Sequence, residues 1–159
     1  MTNKVITCRN ATSYRGMLTR AKKYMVLDID YNKSCVKILC DNGKTRLFPL
    51  EFFDLDGNDV PMLVNWSFDD NIEDVKREDF LTWVEVTIEL SDGTKRWCKL
   101  FTTEIISKIL SLPNNFGIYY PNIIIVKSFD YNDVDKMLKE MDENDELIGA
   151  SQIIKETNI

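Results

Sequence analysis

Not one of the chain's 159 residues is histidine, and that absence removes more function classes than any motif present could add. Ser-His-Asp and Cys-His hydrolases, histidine-metal nucleases and zinc deaminases all need an imidazole as base or ligand. Acid–base work near neutral pH would fall to a perturbed carboxylate, lysine or thiol. Glycine is scarce too, at 6 residues, and neither GxxxxGK[ST] nor GxGxxG occurs, so no phosphate-cradling loop is written into the chain. The four cysteines Cys8, Cys35, Cys40 and Cys98 show no CxxC spacing. Reduced, buried thiols are therefore expected rather than a zinc site. No apolar run approaches the roughly 18 residues that a membrane helix requires. Met1-Thr2-Asn3-Lys4 leads into no apolar segment of the secretory kind. These absences point to a cytoplasmic protein with no membrane partner.

Charge is what the chain does have, and it is divided by position. Residues 1–53 carry a net +6, residues 54–79 a net −7, and residues 80–159 a net −5. A basic module, an acidic connector and an acidic second module follow, with boundaries at 1–53, 54–82 and 83–159.

Two hairpin signatures organise these modules. Val36–Cys40 and Thr45–Phe48 flank Asp41-Asn42-Gly43-Lys44, while Val84–Leu90 and Lys95–Phe101 flank Ser91-Asp92-Gly93-Thr94. Asn-Gly and Asp-Gly predict type I′ turns. Val84, Val86, Ile88 and Leu90 alternate with Glu85, Thr87 and Glu89, the pattern of a sheet with one buried and one wet face. Short strands over Lys4–Arg9, Lys23–Asp28, Cys35–Cys40 and Thr45–Phe48 predict a small barrel. Pro61–Phe68 is too apolar for a free linker and is expected to pack on one or both modules, and Asp69–Asp74 reads as an acidic loop or helix start. In the last module Thr102 caps a helix with the stripe Ile105, Ile106, Ile109 and Leu110. Ile123–Val126 reads as a central strand buried on both faces. Asp130 or Asn132 starts a second helix, and Leu147–Ile154 is a last strand. The order ββαβαβ makes this an α+β fold with an α/β sandwich in its second half.

No set of residues assembles a catalytic motif, and neither cofactor nor metal is expected. Asp54-x-Asp56-x-Asn58 imitates the start of a calcium loop, but Asp59 stands where glycine is required and Asn65 where the bidentate glutamate should be. Asp74-Val75-Lys76 matches the tail of a nuclease motif only formally. Binding is the better-supported class. Trp66 and Trp97 are candidate anchors, and Asp142, Glu143, Asp145 and Glu146 crowd a helix end as a candidate partner-facing acidic patch. The alternative is a nucleic-acid face of Arg9, Arg15, Arg20, Lys22 and Lys23, with Tyr14 and Tyr24 interleaved to stack on bases. The same cations could instead dock on the chain's own acidic connector. An enzyme using carboxylates and a divalent metal is the third class.

Val5-Ile6-x-Cys8-x-Asn10, Leu18-Thr19-x6-Met25-Val26-Leu27-Asp28, Asp41-Asn42-Gly43 and Phe48-Pro49-x3-Phe53 together resemble small SH3-like barrels of phage, prophage and bacterial proteins. Arg15-Gly16-Met17 and Lys22-Lys23 depart from that pattern and make this copy basic. Trp83–Leu90, Asp92-Gly93 and Cys98-x2-Phe101-Thr102-Thr103 more loosely resemble small α+β immunity proteins of the immunity protein 8 group. The resemblance implies an interaction module that masks a protein partner, immunity-like or as a phage-encoded inhibitor, and it transfers no catalytic residue.

Overall fold

A computed structural model describes residues 3–73 and 82–155. The chain divides into two compact units. One runs to Met62 and takes in Glu143–Asp145; the other comprises Leu63–Asp142 and the chain from Glu146 onward. Each has its own sheet and apolar core, so the fold is of mixed α and β type.

The first unit is a five-stranded antiparallel sheet: β1 (Val5–Cys8), β2 (Lys23–Asp30), β3 (Cys35–Leu39), β4 (Thr45–Pro49) and β5 (Phe53–Asp54), in the order β4-β3-β2-β1-β5. A single 3-10 turn, Leu50–Phe52, separates β4 from β5. Among the described residues no pairing of β4 with β5 closes this sheet into a barrel. Alternation sends Ile6 and Cys8, Val36 and Ile38, and Phe48 inward, where they meet Leu18, Tyr24, Cys40 and Phe53. A register shift between Val26 and Asp28 lets β2 serve two partners. Lys23–Met25 pair with β1, and Val26–Asp30 pair with β3. Beyond β5 the chain presses back on β1. A Cβ at Gly57 would stand 2.7 Å from the Val5 carbonyl oxygen, and φ there is +71°, so only glycine fits.

The hairpin turns differ from the expected type I′. Gly43 N–H donates to the Cys40 carbonyl while Cys40 N–H donates to that of Lys44; Gly93, Leu90 and Thr94 repeat the pattern. These are three-residue loops in which only the glycine has positive φ, +78° at Gly43 and +83° at Gly93. Asn42 and Asp92 stay at negative φ because their side chains accept the N–H groups of Lys44 and Thr94.

The second unit begins earlier than the composition suggested. Leu63–Phe68, expected within a connector, forms strand β6 on the edge of the second sheet, paired with β7 (Val84–Leu90). Asp74-Val75-Lys76 and Phe80, also in that segment, lie outside the described residues. Strand β8 (Lys95–Phe101) pairs with β7 on one side. On its other side it carries β9 (Ile123–Ile125), parallel, along Lys99–Phe101 and β10 (Gln152–Ile153), antiparallel, along Arg96–Trp97. Helix α1 (Thr103–Leu110) starts where the Thr102 hydroxyl accepts Ile105 N–H at 3.3 Å. Helix α2 (Tyr131–Glu143) buries Val134, Leu138 and Met141 against Val86, Ile88, Cys98, Leu100 and Ile124.

Leu147–Ile154 is not one strand, since only Gln152–Ile153 pairs with β8 and Leu147 is buried in the core ahead of it; two further expectations need correction. Ile123–Val126 is not a central strand buried on both faces: β9 is short, and Ile125 is exposed while Ile124 and Val126 are buried. Its β-branched run reflects one covered face plus a parallel edge pairing. Of the α1 stripe, Ile105 is buried but Leu110 is exposed. Among the described residues no helix is long and apolar enough to cross a membrane. Leu138→Ala, which opens a void in the second core, should cost about 2–5 kcal/mol in denaturant unfolding, against about 0.5 kcal/mol or less for Leu110→Ala.

Candidate functional site

The candidate cations of the first unit are already partnered. Arg9 donates through Nε to Asp145 Oδ2 at 2.8 Å, and Arg20 Nη1 reaches Asp145 Oδ1 at 3.3 Å. Arg15 Nη2 lies 3.4 Å from Glu143 Oε2. Lys22 Nζ donates to Asp41 at 2.6 Å, and Lys23 Nζ to Asp59 at 3.0 Å. Arg20 also donates to the Arg9 and Pro61 carbonyls, and Asn10 Nδ2 donates to the Asn144 carbonyl at 3.3 Å. The Arg20 and Asp145 side chains are only 10% and 17% exposed, so this pair is shielded from salt far better than the Arg15–Glu143 pair. Tyr14 sits in the 3-10 turn Thr12–Tyr14 and packs edge-on against Phe48 and Phe52, at 5.1 and 5.5 Å between ring centres. Its ring, like that of buried Tyr24, is committed to the core instead of being a free platform for bases.

Three of the four acids in the acidic patch, Asp142, Glu143 and Asp145, are likewise engaged. Glu146 N–H donates to the Met141 carbonyl, and Asp145 takes φ of +60°, a left-handed helix stop at a position that usually favours glycine. That stop turns the Asp145 carboxylate toward Arg9 and Arg20 within the first unit. Asp142, at the end of α2, accepts Leu63 N–H at 3.1 Å within the second. Of the four acids, Glu143 and Glu146 are exposed. Partners for the basic residues thus come chiefly from the 143–145 segment and Asp41, with the connector supplying Asp59.

Trp66 has to be withdrawn as a surface anchor. It is buried in the second core, its indole N–H donates to Asp135 Oδ1 at 2.9 Å, and its ring stacks on Tyr131 at 4.9 Å. Its polar edge is satisfied internally and no free face remains. Trp97 is half-buried on the opposite sheet face, where Lys99 Nζ lies among three rings: Tyr120 at 3.9 Å, Trp83 at 4.8 Å and Trp97 at 5.7 Å. The calcium-loop imitation closes on itself: Asp54 Oδ1 accepts the N–H groups of Asp56 and Asn58. Burial pushes its acidity the other way, but those bonds prevail and hold the carboxyl below its usual range.

Asp41 is a second organising carboxylate. Burial would raise it, but donors from Lys22, Thr19 and Tyr24 outweigh that and hold it below the usual range. Burial, together with the bond to Asp41, pushes the Tyr24 hydroxyl up to about 12. Desolvation does the same to the Cys8 and Cys98 thiols, up to about 11 and about 12, so neither is a nucleophile at neutral pH.

Two exposed apolar surfaces escaped the sequence reading. In the second unit the twelve residues 111–122 between α1 and β9 hold Phe116 and Tyr119, which are 99% and 95% exposed, beside exposed Leu110 and Leu112. In the first unit Met25, Leu27, Leu39 and Leu47 are each more than half exposed on the sheet face opposite the core. The available signal for the latter was a strand, Tyr24-Met25-Val26-Leu27, apolar at successive positions where a one-sided sheet needs only alternate ones. For the former it was a phenylalanine in a turn-forming Pro113-Asn114-Asn115-Phe116-Gly117 run.

Comparison with protein-family models, curated proteins and solved structures returns no match. The site is therefore argued from its own chemistry.

Asp145→Asn keeps the left-handed turn accessible but removes the charge shared by Arg9 and Arg20. Denaturant unfolding should show a loss of about 1–3 kcal/mol, between the values for exposed and buried pairs. Asp41→Asn should give a pH signature. A carboxyl held low in the folded state contributes stability that is complete above its unfolded value, near 3.9, and vanishes as pH falls through the folded one. The stability gap between wild type and Asp41→Asn should be full at pH 7 and close below about pH 4.

Proposed function

We propose that the chain is a non-catalytic binding protein that masks a protein partner, immunity-like or as an inhibitor. The observation that carries this reading is the loop over residues 111–122, which holds Phe116 and Tyr119 almost entirely in water beside Leu110 and Leu112. Single exposed apolar side chains are ordinary, but four large ones within ten residues, three of them on an irregular segment directly after a helix, are not. Long irregular loops in compact proteins are usually functional. Covering one such ring on a partner stabilises a complex by roughly 1.5–3 kcal/mol, enough for an anchor at the centre of an interface.

The strand order β4-β3-β2-β1-β5, with its 3-10 turn before β5, supports reading the first unit as an SH3-like module. Four unpaired cysteines accord with a cytoplasmic location. Nucleic-acid binding through Arg9, Arg15, Arg20, Lys22 and Lys23 is the less favoured reading, because each of these cations has a carboxylate partner.

Phe116→Ser with Tyr119→Ser should leave thermal stability within about 1–2 °C of wild type, since neither ring packs on the core. In parallel affinity purifications from the cells that express the chain, one protein should accompany the wild type and be lost from the double variant. Equal recovery with both would retire the loop as the anchor. Salt-sensitive binding to an oligonucleotide, with no co-purifying protein, would favour the nucleic-acid reading instead.

A further inference from the structure

The outer face of the second sheet holds a box of aromatic rings around a single ammonium. Alternation along β8 puts Trp97 and Lys99 on that face, because Cys98 and Leu100 point into the core. Trp83, just ahead of β7, and Tyr120, shortly before β9, close on the same point from the strands that flank β8. Lys99 Nζ lies 3.9 Å from the centre of the Tyr120 ring, 4.8 Å from that of Trp83 and 5.7 Å from that of Trp97. Phe101 braces two of these walls. It is fully buried, and its ring stacks on Trp83 at 5.6 Å and on Tyr120 at 6.2 Å. Lys99 N–H donates to the Asn122 carbonyl at 2.8 Å, which ties the Tyr120 segment to β8. The mouth of the box is open: Tyr120 is 37% exposed, and Trp83, Trp97 and Lys99 are half-buried.

The ammonium inside is an incomplete match for its surroundings. A lysine head carries three N–H donors. Among the described residues, none of those on Lys99 reaches a hydrogen-bond acceptor or a carboxylate. Glu85 stands directly across the β7–β8 pair, where it would be the ordinary cross-strand partner, yet the ammonium turns to the rings. Ring faces attract positive charge and supply no lone pair for a donor. A quaternary ammonium brings the same charge, has no N–H to satisfy, and lays methyl groups on the ring faces. Glu85, in turn, is placed to take up Lys99 once it is displaced.

We propose that Trp83, Trp97 and Tyr120 form a binding site for a trimethylammonium group, with Lys99 as its internal placeholder. The site goes beyond the protein-binding reading and stands without it. A primary amine fits worse, since it restores the unbonded donors at the same charge. An anion is repelled by the negative faces of the rings.

The probe is choline, titrated into the full chain and followed through the indole N–H signals of its three tryptophans by heteronuclear NMR. The signals of Trp83 and Trp97 should shift saturably. That of Trp66, whose indole is bonded to Asp135, should stay in place as the internal control. The uncharged isostere of choline, with a tert-butyl group in place of the trimethylammonium, should bind at least about tenfold more weakly. Tyr120→Leu removes the nearest ring and should also cost about tenfold in affinity. Lys99→Met empties the box without touching a ring and should tighten choline binding by about threefold or more, an effect that a purely structural lysine would not give. It keeps the test decisive should Tyr120→Leu fail to fold. No saturable shift in wild type and Lys99→Met alike, equal affinity for the uncharged isostere, or binding that Lys99→Met leaves unchanged or weakens would overturn the assignment. A short peptide carrying trimethyl-lysine is the second arm. Tighter binding than choline would support the site with a modified protein as the source of the group, and weaker binding would support it with a free head group.

Discussion

The whole first sheet turns on β2, a strand of eight residues that two neighbours share. Its first three residues bond to β1 and its last five to β3, with one register shift between them. A straight strand could hold both neighbours only in a flat sheet, which would leave Ile6, Val36, Ile38 and Phe48 without a common interior. The bend gathers them around Tyr24 and Phe53. It also costs the sheet its continuity where β2 and β3 diverge, and exposed Met25, Leu27 and Leu39 flank that gap. Core closure and this apolar exposure are thus two consequences of one backbone irregularity. The second unit has a comparable hub in β8, which carries β7 on one side and divides the other between β9 and β10.

Charge in this protein is arranged by pairing more than by segregation. Along the sequence the basic and acidic stretches look like two opposed surfaces. In the first unit, however, Arg9 and Arg20 converge on Asp145, Arg15 on Glu143, and Lys22 on Asp41. Exposed pairs of this kind contribute little each, and the shielded Arg20–Asp145 contact contributes more. The functional consequence is subtractive. Most of the positive charge in residues 1–23 is cancelled where it stands.

Apolar exposure marks two surfaces, one in each unit. The second unit's residues 111–122 and the first unit's outer β2–β3 face both hold large side chains in water close to buried positions. One presents rings on an irregular loop, the other aliphatic side chains on a sheet face.

Much of this protein was legible in its residue order. Alternation located β7 and β8, the Gly43 and Gly93 turns joined the right strands, and Thr102 began α1, because each depends on contacts within a few residues. Strand β6 was missed although Val64-Asn65-Trp66-Ser67-Phe68 alternates apolar and polar: the acidic residues on either side made it read as a connector, and pairing with β7 assigns it to a sheet. Trp66 read as an anchor because sequence cannot show an Asp135 waiting for its indole N–H. Likewise, the acids at 142–146 and the arginines at 9, 15 and 20 each looked free when more than a hundred residues separated them. Local periodicity, turn chemistry and capping were thus determined by sequence alone, since neighbours along the chain supply the energies. Which charges are spent and which apolar side chains stay in water was decided only by the tertiary structure, because those outcomes depend on partners that chain order does not bring together.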